Sequence, residues 1–292
     1  MRKFLLSLPA LLLFLSSCNL HDRLYIDLPD TAWRYEADGV TTWVCFHDGT
    51  NASILQYNSA TGRYQTDHGT YSVDGHSVDI YPSTASTYSL VRTYSNLKHF
   101  TSNKNFTKLQ PKSYPSVEGS VWAAVDTNDL HILYLGGESV CADICYRNVT
   151  RKEDKTYGWS AARSSYVSSD SMLDAGGVSA SLYGDLLYQT CYSMAICSQP
   201  VEEEGTSSLK GTLWTYNNTG YPADSPYIVI FNGKDTFTRI YGVSAIGFVV
   251  ENGSYTISDG TVEFTLGDKT RSCSISGDSF TLWERTYVKL DY

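Results

Sequence analysis

Histidine is the residue type in this chain best suited to acid–base or metal chemistry, because its imidazole titrates near neutral pH. Of the six histidines, three stand beside carboxylates, as His47-Asp48, Asp67-His68 and Asp74-Gly75-His76. Zinc needs three or four such ligands in a tetrahedron. These groups flank a predicted strand and would meet only if loops folded back, so we predict no metal site. An enzyme built on His47, His68 and His76 stays a third functional hypothesis.

Six cysteines after residue 18 offer a second chemistry: Cys45, Cys141, Cys145, Cys191, Cys197 and Cys273. An exported chain with an even number of thiols can form disulfides. Cys141 and Cys145 lie on one predicted strand, about 13 Å apart at strand rise, so they cannot bridge each other. Two pairings with Cys191 and Cys197 stay open, as does a zinc site made of these four. The remaining two cysteines fit small buried apolar positions.

Exposed tyrosines are the better binding candidates, because Tyr offers a flat apolar face and a hydroxyl. The chain has 23 of them. Four are candidate ligand contacts in or beside predicted loops: Tyr57, Tyr64, Tyr88 and Tyr221. On one rim they would form a sugar or protein contact. The alternative is that Tyr fills strand positions through its β-propensity.

The formal charge of −9 and the lack of a basic cluster exclude nucleic acid as an expected partner. Several catalytic motifs are also absent from the sequence, namely His-Glu-x-x-His, Gly-x-Ser-x-Gly and a phosphate-binding glycine loop. We therefore expect no catalysis and no cofactor.

The N-terminus carries a targeting signal. Arg2 and Lys3 precede an apolar run from Phe4 to Leu15, which is too short to span a bilayer, and Leu15-Ser16-Ser17-Cys18 follows. This resembles the lipobox of bacterial lipoproteins. The resemblance implies a signal peptide over 1–17, acylation of Cys18 by chains such as palmitate, and a lipidated tether over 18–27. Asn19 favours attachment to the outer membrane, and the sequence leaves open which face of that membrane. The alternative is an ordinary secretory signal.

Three tryptophans mark an internal repeat. Trp122 follows Trp33 by 89 residues, and Trp214 follows Trp122 by 92. Further landmarks keep the same order, such as His68-Gly69-Thr70-Tyr71 and Asn252-Gly253-Ser254-Tyr255. The sequence therefore predicts three units, over 28–111, 117–200 (the most divergent) and 208–292.

Within a unit the hydrophobic period is two, as in Thr261-Val262-Glu263-Phe264-Thr265-Leu266. The third unit divides into eight predicted strands, near 211–216, 226–232, 235–241, 247–257, 261–267, 269–275, 278–284 and 286–290. Their short joints require antiparallel neighbours. We predict an all-β chain of three tandem small up-and-down barrels, with β-sandwiches as the alternative. Each barrel is expected to have its own core, with none shared across residues 111 and 200. Trp43 is expected outside its barrel, at a contact between units.

The units resemble the lipocalin-like (calycin) domains of bacterial lipoproteins, which place Gly-x-Trp on the first strand. Here the spacing is Gly-x-x-Trp, and Asp30 replaces the glycine in the first unit. The resemblance implies structural roles for Trp33, Trp122 and Trp214, with Lys108 and Lys289 as cations stacked on a tryptophan.

The resulting functional hypothesis is a non-catalytic, lipid-anchored envelope protein of a Gram-negative bacterium. It would bind a small apolar molecule or a glycan, which requires a cavity of about 300 Å³ or more in at least one unit. The alternative is a structural or adhesive surface lipoprotein whose filled barrels contact protein partners. The arrangement of the units and the oligomeric state are left open.

Overall fold

The structure is a computed structural model that describes residues 28–74, 77–82, 93–96, 99–101, 105–126, 129–147, 158–189, 193–201, 207–216, 226–244 and 247–292. The described residues form 24 strands and no helix, so the all-β class is confirmed. Accordingly, they include no helix able to cross a membrane.

Unit 1 contains the first eight strands, whose pairings are antiparallel and lead from β1 through β8 back to β1. The strands are β1 (Thr31–Ala37), β2 (Val40–Phe46), β3 (Asn51–Asn58), β4 (Arg63–Asp74), β5 (Ser77–Pro82), β6 (Thr93–Asn96), β7 (His99–Thr101) and β8 (Asn105–Lys108).

Unit 2 is a closed eight-stranded antiparallel barrel in which β16 pairs with β9. Its strands are β9 (Val121–Asp126), β10 (Asp129–Leu135), β11 (Val140–Arg147), β12 (Gly158–Ser169), β13 (Met172–Ala175), β14 (Val178–Leu182), β15 (Leu186–Tyr188) and β16 (Ser193–Ser198).

Unit 3 has its eight strands close to the predicted positions, joined by tight turns such as Asp259-Gly260, where φ is 51° and 76°. The strands are β17 (Leu213–Tyr216), β18 (Tyr227–Ile230), β19 (Thr236–Ser244), β20 (Gly247–Ser258), β21 (Thr261–Leu266), β22 (Lys269–Ser274), β23 (Ser279–Leu282) and β24 (Arg285–Leu290).

The prediction of three separate barrels is confirmed only in part, by the closed barrel of unit 2. In unit 3, β22 and β23 share no ladder among the described residues, so this unit is not closed by hydrogen bonds there. Unit 3 instead joins unit 1, because β20 pairs antiparallel with β4 and the two units form one 16-stranded sheet. Both joining strands are 12 residues long and extend past their own hairpin partners.

The joint between β4 and β20 depends on glycine. A side chain at Gly247 would bring its Cβ to 2.2 Å from the carbonyl oxygen of Tyr64, well inside van der Waals contact. At Gly62, a Cβ would lie 2.5 Å from the carbonyl oxygen of Val250, whose own N–H donates to the Gly62 carbonyl at 2.9 Å. The two strands approach this closely because neither position has a side chain.

The expectation of separate cores is also wrong. Each unit has an interior core, formed around Trp33 in unit 1, Trp122 in unit 2 and Trp214 in unit 3. A fourth cluster, which we call the central core, contains residues of all three units and therefore crosses residues 111 and 200. Its members include Trp43, Cys45 and Tyr64 of unit 1, Val121, Ile132 and Ile144 of unit 2, and Ile228, Ile230 and Phe248 of unit 3.

The central core exists because several strands are apolar on both faces. Val229 points into unit 3, whereas its neighbours Ile228 and Ile230 point into the central core, and all three are fully buried. Such continuous apolar runs are typical of strands buried on two sides. Trp43 lies in the central core while Val44 lies inside unit 1, as expected from the sequence.

Candidate binding sites

Each repeat tryptophan is held by the same chain of hydrogen bonds. In unit 3 the indole Nε1 of Trp214 donates to the hydroxyl of Thr212 at 2.8 Å, which donates to the carbonyl of Leu209 at 2.6 Å. The other two chains are Trp33 to Thr31 to Leu28, and Trp122 to Ser120 to Val117. A buried indole N–H needs an acceptor, and the repeat supplies one from two residues upstream.

The residue three positions before each tryptophan has a left-handed backbone. The φ angle is 58° at Asp30, 79° at Gly119 and 84° at Gly211. Gly and Asp both tolerate this region better than most residues, so Asp30 preserves the geometry where the glycine is missing. The repeat is therefore apolar-x-x-hydroxyl-x-Trp with a left-handed residue before the hydroxyl. The sequence contains this pattern in all three units, with glycine at the left-handed position in units 2 and 3.

One candidate site is a cleft in unit 3, next to Trp214. Its volume is about 310 Å³. It opens between the β20–β21 hairpin and the segment that joins β22 to β23, where the ladder is missing. The residues that give it its character are Leu209, Trp214, Ile257, Val262, Ile275 and Lys289. An apolar wall with a single lysine suits a small amphipathic ligand.

The two lysines expected to accompany the tryptophans lie where the register requires. Lys108 is the cross-strand partner of Trp33, and Lys289 is the partner of Trp214. Both are exposed residues. Lys289 also lines the cleft, so its ammonium group supplies the one formal charge of the described lining.

The two tyrosine candidates that the structure describes, Tyr57 and Tyr64, do not form an exposed rim. Tyr64 is only 8% exposed and belongs to the central core, where its hydroxyl donates to the carbonyl of Ile196 at 2.6 Å. Tyr57 stacks on it with ring centroids 4.4 Å apart. Tyr64 is therefore a link between units, because its ring fills the joint that β4 and β20 create. Tyr88 and Tyr221 lie outside the described residues.

A second group of polar and aromatic side chains occupies the other end of β24 in unit 3. The Arg239 guanidinium lies 4.2 Å from the ring centroid of Trp283 and 4.7 Å from that of Tyr241. The Arg285 guanidinium lies 4.4 Å from the ring of Tyr227. Trp283 is delivered by a turn in which it has φ of 50°, an unusual conformation for a bulky residue.

One carboxylate, that of Glu251, forms an ion pair with this arginine group. Glu251 places an oxygen 2.5 Å from Nη2 of Arg239 and accepts a hydrogen bond of 3.0 Å from the Tyr241 hydroxyl. Arg285 donates to the Trp283 carbonyl at 3.1 Å and forms no ion pair within the described part of the chain. The group therefore has two cations and one anion, held against aromatic faces.

The barrel of unit 2 contains a second cleft of about 290 Å³, lined by residues that include Leu133, Asp143, Arg163, Leu173 and Met194. It differs from the cleft of unit 3 in having both a carboxylate and a guanidinium in its lining. Its lining is therefore more polar.

Two histidines of unit 1, His47 and His68, contact unit 2. Nδ1 of His47 is 2.9 Å from the carbonyl oxygen of Gln189, and Nε2 is 2.5 Å from the hydroxyl of Ser53. Because a carbonyl can only accept, Nδ1 of His47 carries the proton and neutral His47 accepts from Ser53 at Nε2. The Ser53 hydroxyl is also 3.0 Å from Nδ1 of His68. Burial lowers the pKa of His47. His76 lies outside the described residues.

The described cysteines are free thiols: Cys45, Cys141, Cys145, Cys197 and Cys273. Cys45 is fully buried in the central core, and burial raises its pKa to about 12. Cys197 lies in that core, whereas Cys141 lies in the interior of unit 2, so a site made of the middle-unit cysteines does not assemble. Cys191 is not among the described residues.

No protein-family model and no curated protein matches this chain. Among solved structures, the chain is similar to a DNA polymerase sliding clamp from Pseudomonas aeruginosa, with 7% identity over 90% of this chain and 92% of that one and a TM-score of 0.13. The DNA polymerase III subunit beta from the same organism has 6% identity over 93% of this chain and 97% of that one, with a TM-score of 0.16. A sliding clamp from Bartonella birtlesii bound to griselimycin has 6% identity over 87% of this chain and 84% of that one, with a TM-score of 0.13. TM-scores this low carry no argument about fold or function.

Proposed function

We propose that this chain is a non-catalytic, lipid-anchored protein of a Gram-negative envelope that binds a small apolar molecule in the cleft of unit 3. The observation that supports this most is the volume of about 310 Å³ beside Trp214, since ligand pockets start at about 300 Å³. Lys289 is the one titratable side chain among the described residues of the lining. A lone lysine favours ligand orientation over acid–base catalysis, which needs a convergent acid and base.

The lining indicates which part of a ligand goes where. Leu209, Val262 and Ile275 offer apolar contacts, and the buried Trp214 also lines the cleft. Lys289 stands at the strand position beside Trp214, so an anionic or hydroxyl-bearing end of the ligand belongs there. A glycan is the other ligand class, because a tryptophan beside polar donors also suits a sugar ring.

The anchor remains a proposal based on the sequence. Cys18 lies outside the described residues, as does the tether over 18–27. Ten extended residues reach at most about 35 Å, so a lipid on Cys18 would keep the three units next to the membrane. Several acyl chains would make this attachment durable. Mass spectrometry of the mature N-terminus tests it, with an unmodified Cys18 as the contradicting result.

Binding is tested with a fluorescent hydrophobic probe added to the mature chain freed of its lipid. We expect one site per chain and quenching of tryptophan emission. Ile257, which lines the cleft and is 43% exposed, is changed to Trp to fill it. This should weaken binding at least about tenfold, or 1.4 kcal/mol.

The matched control is Val288→Trp, because Val288 is similarly exposed at 52% on unit 3 but does not line the cleft. Its affinity should equal that of the unchanged chain. Lys289→Met should weaken a carboxylate-bearing probe about three- to tenfold and leave a neutral one unaffected. Equal losses in Ile257→Trp and Val288→Trp, or no binding to the unchanged chain, would contradict the proposal.

A structural or adhesive role is the second candidate. It is favoured by the filling of unit 3 beyond the cleft, where Phe231, Phe237, Phe264 and Phe280 occupy the interior with 2% exposure or less. This role predicts that no small molecule binds and that a purified protein partner is held by outer faces. Binding of that partner should survive Ile257→Trp.

A further inference from the structure

Three side chains of different chemistry converge in unit 2, outside the sites described so far. They are the carboxylate of Asp129, the imidazole of His131 and the thiol of Cys145, and one ligand atom from each lies within 4.8 Å of the other two. All three residues are partly buried.

The strand register brings these residues together. Asp129 and His131 are two apart on β10, so their side chains share one face. His131 is the direct cross-strand partner of Cys145 on β11, and partners in an antiparallel pair have Cβ atoms about 4.5–5.5 Å apart. The order Asp-x-His on one strand, with Cys at the opposite position, would have indicated this cluster had the pairing been known.

The shared face is the interior of the barrel. On β10 the same face continues through Leu133 and Leu135, and on β11 it continues to Cys141, all in the interior core of unit 2. Asp143, between the two cysteines on that face, lines the cleft of about 290 Å³. The cluster therefore stands at the end of the barrel interior, next to an open volume.

Oxygen, nitrogen and sulfur together form a ligand set that selects zinc. Mg²⁺ and Ca²⁺ prefer oxygen alone, whereas Zn²⁺ accepts all three atoms in a tetrahedron. At the usual zinc–ligand lengths the ligand atoms lie about 3.3–3.7 Å apart. Three protein ligands leave a fourth position for water or another molecule, as in zinc sites that are not purely structural.

The neighbouring charges act in opposite directions. Asp143 adds negative charge near the thiol, which favours a cation, whereas the Arg147 side chain forms a hydrogen bond with Cys145. Arg147 is also the cross-strand partner of Asp129. A metal ion that binds the thiol must displace this guanidinium. Arg147 therefore competes with the metal for Cys145, and its presence should lower the affinity for the metal.

We propose that Asp129, His131 and Cys145 bind one Zn²⁺ ion at the end of the unit 2 barrel, with the fourth position open toward its cleft. The site is independent of the cleft of unit 3. Among the described ladders of the other two units, Cys45 pairs with Ala32 and Ser53, and Cys273 pairs with Val262, so neither cysteine faces a histidine there.

The test uses the mature chain, treated with a chelator and then titrated with Zn²⁺ against a chromophoric chelator. We expect one ion per chain. Co²⁺ in the same site should show tetrahedral d–d bands and a sulfur-to-cobalt charge-transfer band, which Cys145→Ser abolishes. His131→Gln and Asp129→Asn should each weaken Zn²⁺ at least about tenfold, the scale on which zinc-site substitutions act. Arg147→Ala should tighten it.

Cys141→Ser is the matched control, because Cys141 is an inward thiol on the same strand. It should keep both the stoichiometry and the charge-transfer band. Circular dichroism identifies any variant that fails to fold, and the remaining ligand variants then decide. The proposal is overturned if the unchanged chain takes up no stoichiometric Zn²⁺. It is equally overturned if folded ligand variants bind as tightly as the unchanged chain, or if Arg147→Ala weakens binding.

Discussion

The hydroxyl of Thr212 joins Trp214 to the backbone of Leu209, accepting from the indole at 2.8 Å and donating to the carbonyl at 2.6 Å. Units 1 and 2 repeat this arrangement. The tryptophan is thus oriented by a residue only two positions away in the sequence.

Replacing Thr212 by Val should lower the free energy of unfolding by about 1–3 kcal/mol, because a buried indole N–H loses its acceptor. Urea unfolding monitored by tryptophan emission measures it. Thr281→Val is the control, since Thr281 is exposed and bonds only to the neighbouring Thr286 hydroxyl at 3.1 Å. Equal effects of the two substitutions would show that the indole bond is not the cause.

Gly247→Ala should loosen the joint between units 1 and 3, because the added Cβ would lie 2.2 Å from the Tyr64 carbonyl oxygen. The expected loss of stability is about 1–3 kcal/mol, with increased hydrogen exchange at Tyr64 and Phe248. Gly49→Ala is the control, since a Cβ at Gly49 meets nothing within 4 Å. Unchanged exchange at this joint in Gly247→Ala would contradict the pairing of β4 with β20.

Glu251→Gln should lower the free energy of unfolding more than Glu36→Gln does, although each substitution removes one partner of an ion pair. The Arg239–Glu251 side chains are 12% and 29% exposed, whereas those of Arg34–Glu36 are 38% and 56% exposed. Loss of a buried partner leaves a desolvated charge, for which we expect about 1–3 kcal/mol, against at most about 1 kcal/mol for the exposed pair. Thermal unfolding compares the stabilities of the two variants. A larger loss of stability in Glu36→Gln would contradict the prediction.

Stability should fall as the pH is lowered through the range of His47. Burial lowers the pKa of His47 from 6.5 in the folded chain, so the unfolded chain binds more protons below about pH 6.5. The contribution of neutral His47 is complete above that pH and is lost as the pH falls toward the folded pKa. The slope is at most about 1.4 kcal/mol per pH unit. Urea unfolding at pH 7.5 and 5.5 measures it, and His47→Gln should reduce the difference. An unchanged difference in the variant would exclude His47 as its source.

The strand positions were predictable from local patterns, namely the alternation of apolar and polar residues and the turn residues between strands. In unit 3, Thr261–Leu266 forms a strand where alternation predicts one, and Asp259-Gly260 forms the turn before it. Both depend on residues adjacent in the sequence, through the period of side-chain direction and the backbone freedom of glycine. The Trp repeat was visible for the same reason.

The candidate sites were predicted less well, because their members are distant in sequence. Nothing near Tyr64 in the chain indicates that Phe248 will stack on it, with ring centroids 5.3 Å apart and planes inclined by 8°. The meeting of His131 with Cys145 likewise requires the register of β10 and β11. The prediction that Tyr64 lies at an exposed rim is wrong for the same reason, because the residues that cover it come from other units.

The sequence by itself determined the all-β class, the Trp-marked repeat and most strand positions, since these follow from short-range periodicity and turn chemistry. Tertiary structure decided how the repeats combine. A strand such as Tyr227–Ile230 is apolar on both faces, and only the packed molecule shows that its second face meets residues from two other units. Burial of that second face brings the units together around the central core, and an alternating pattern read one strand at a time does not contain this information.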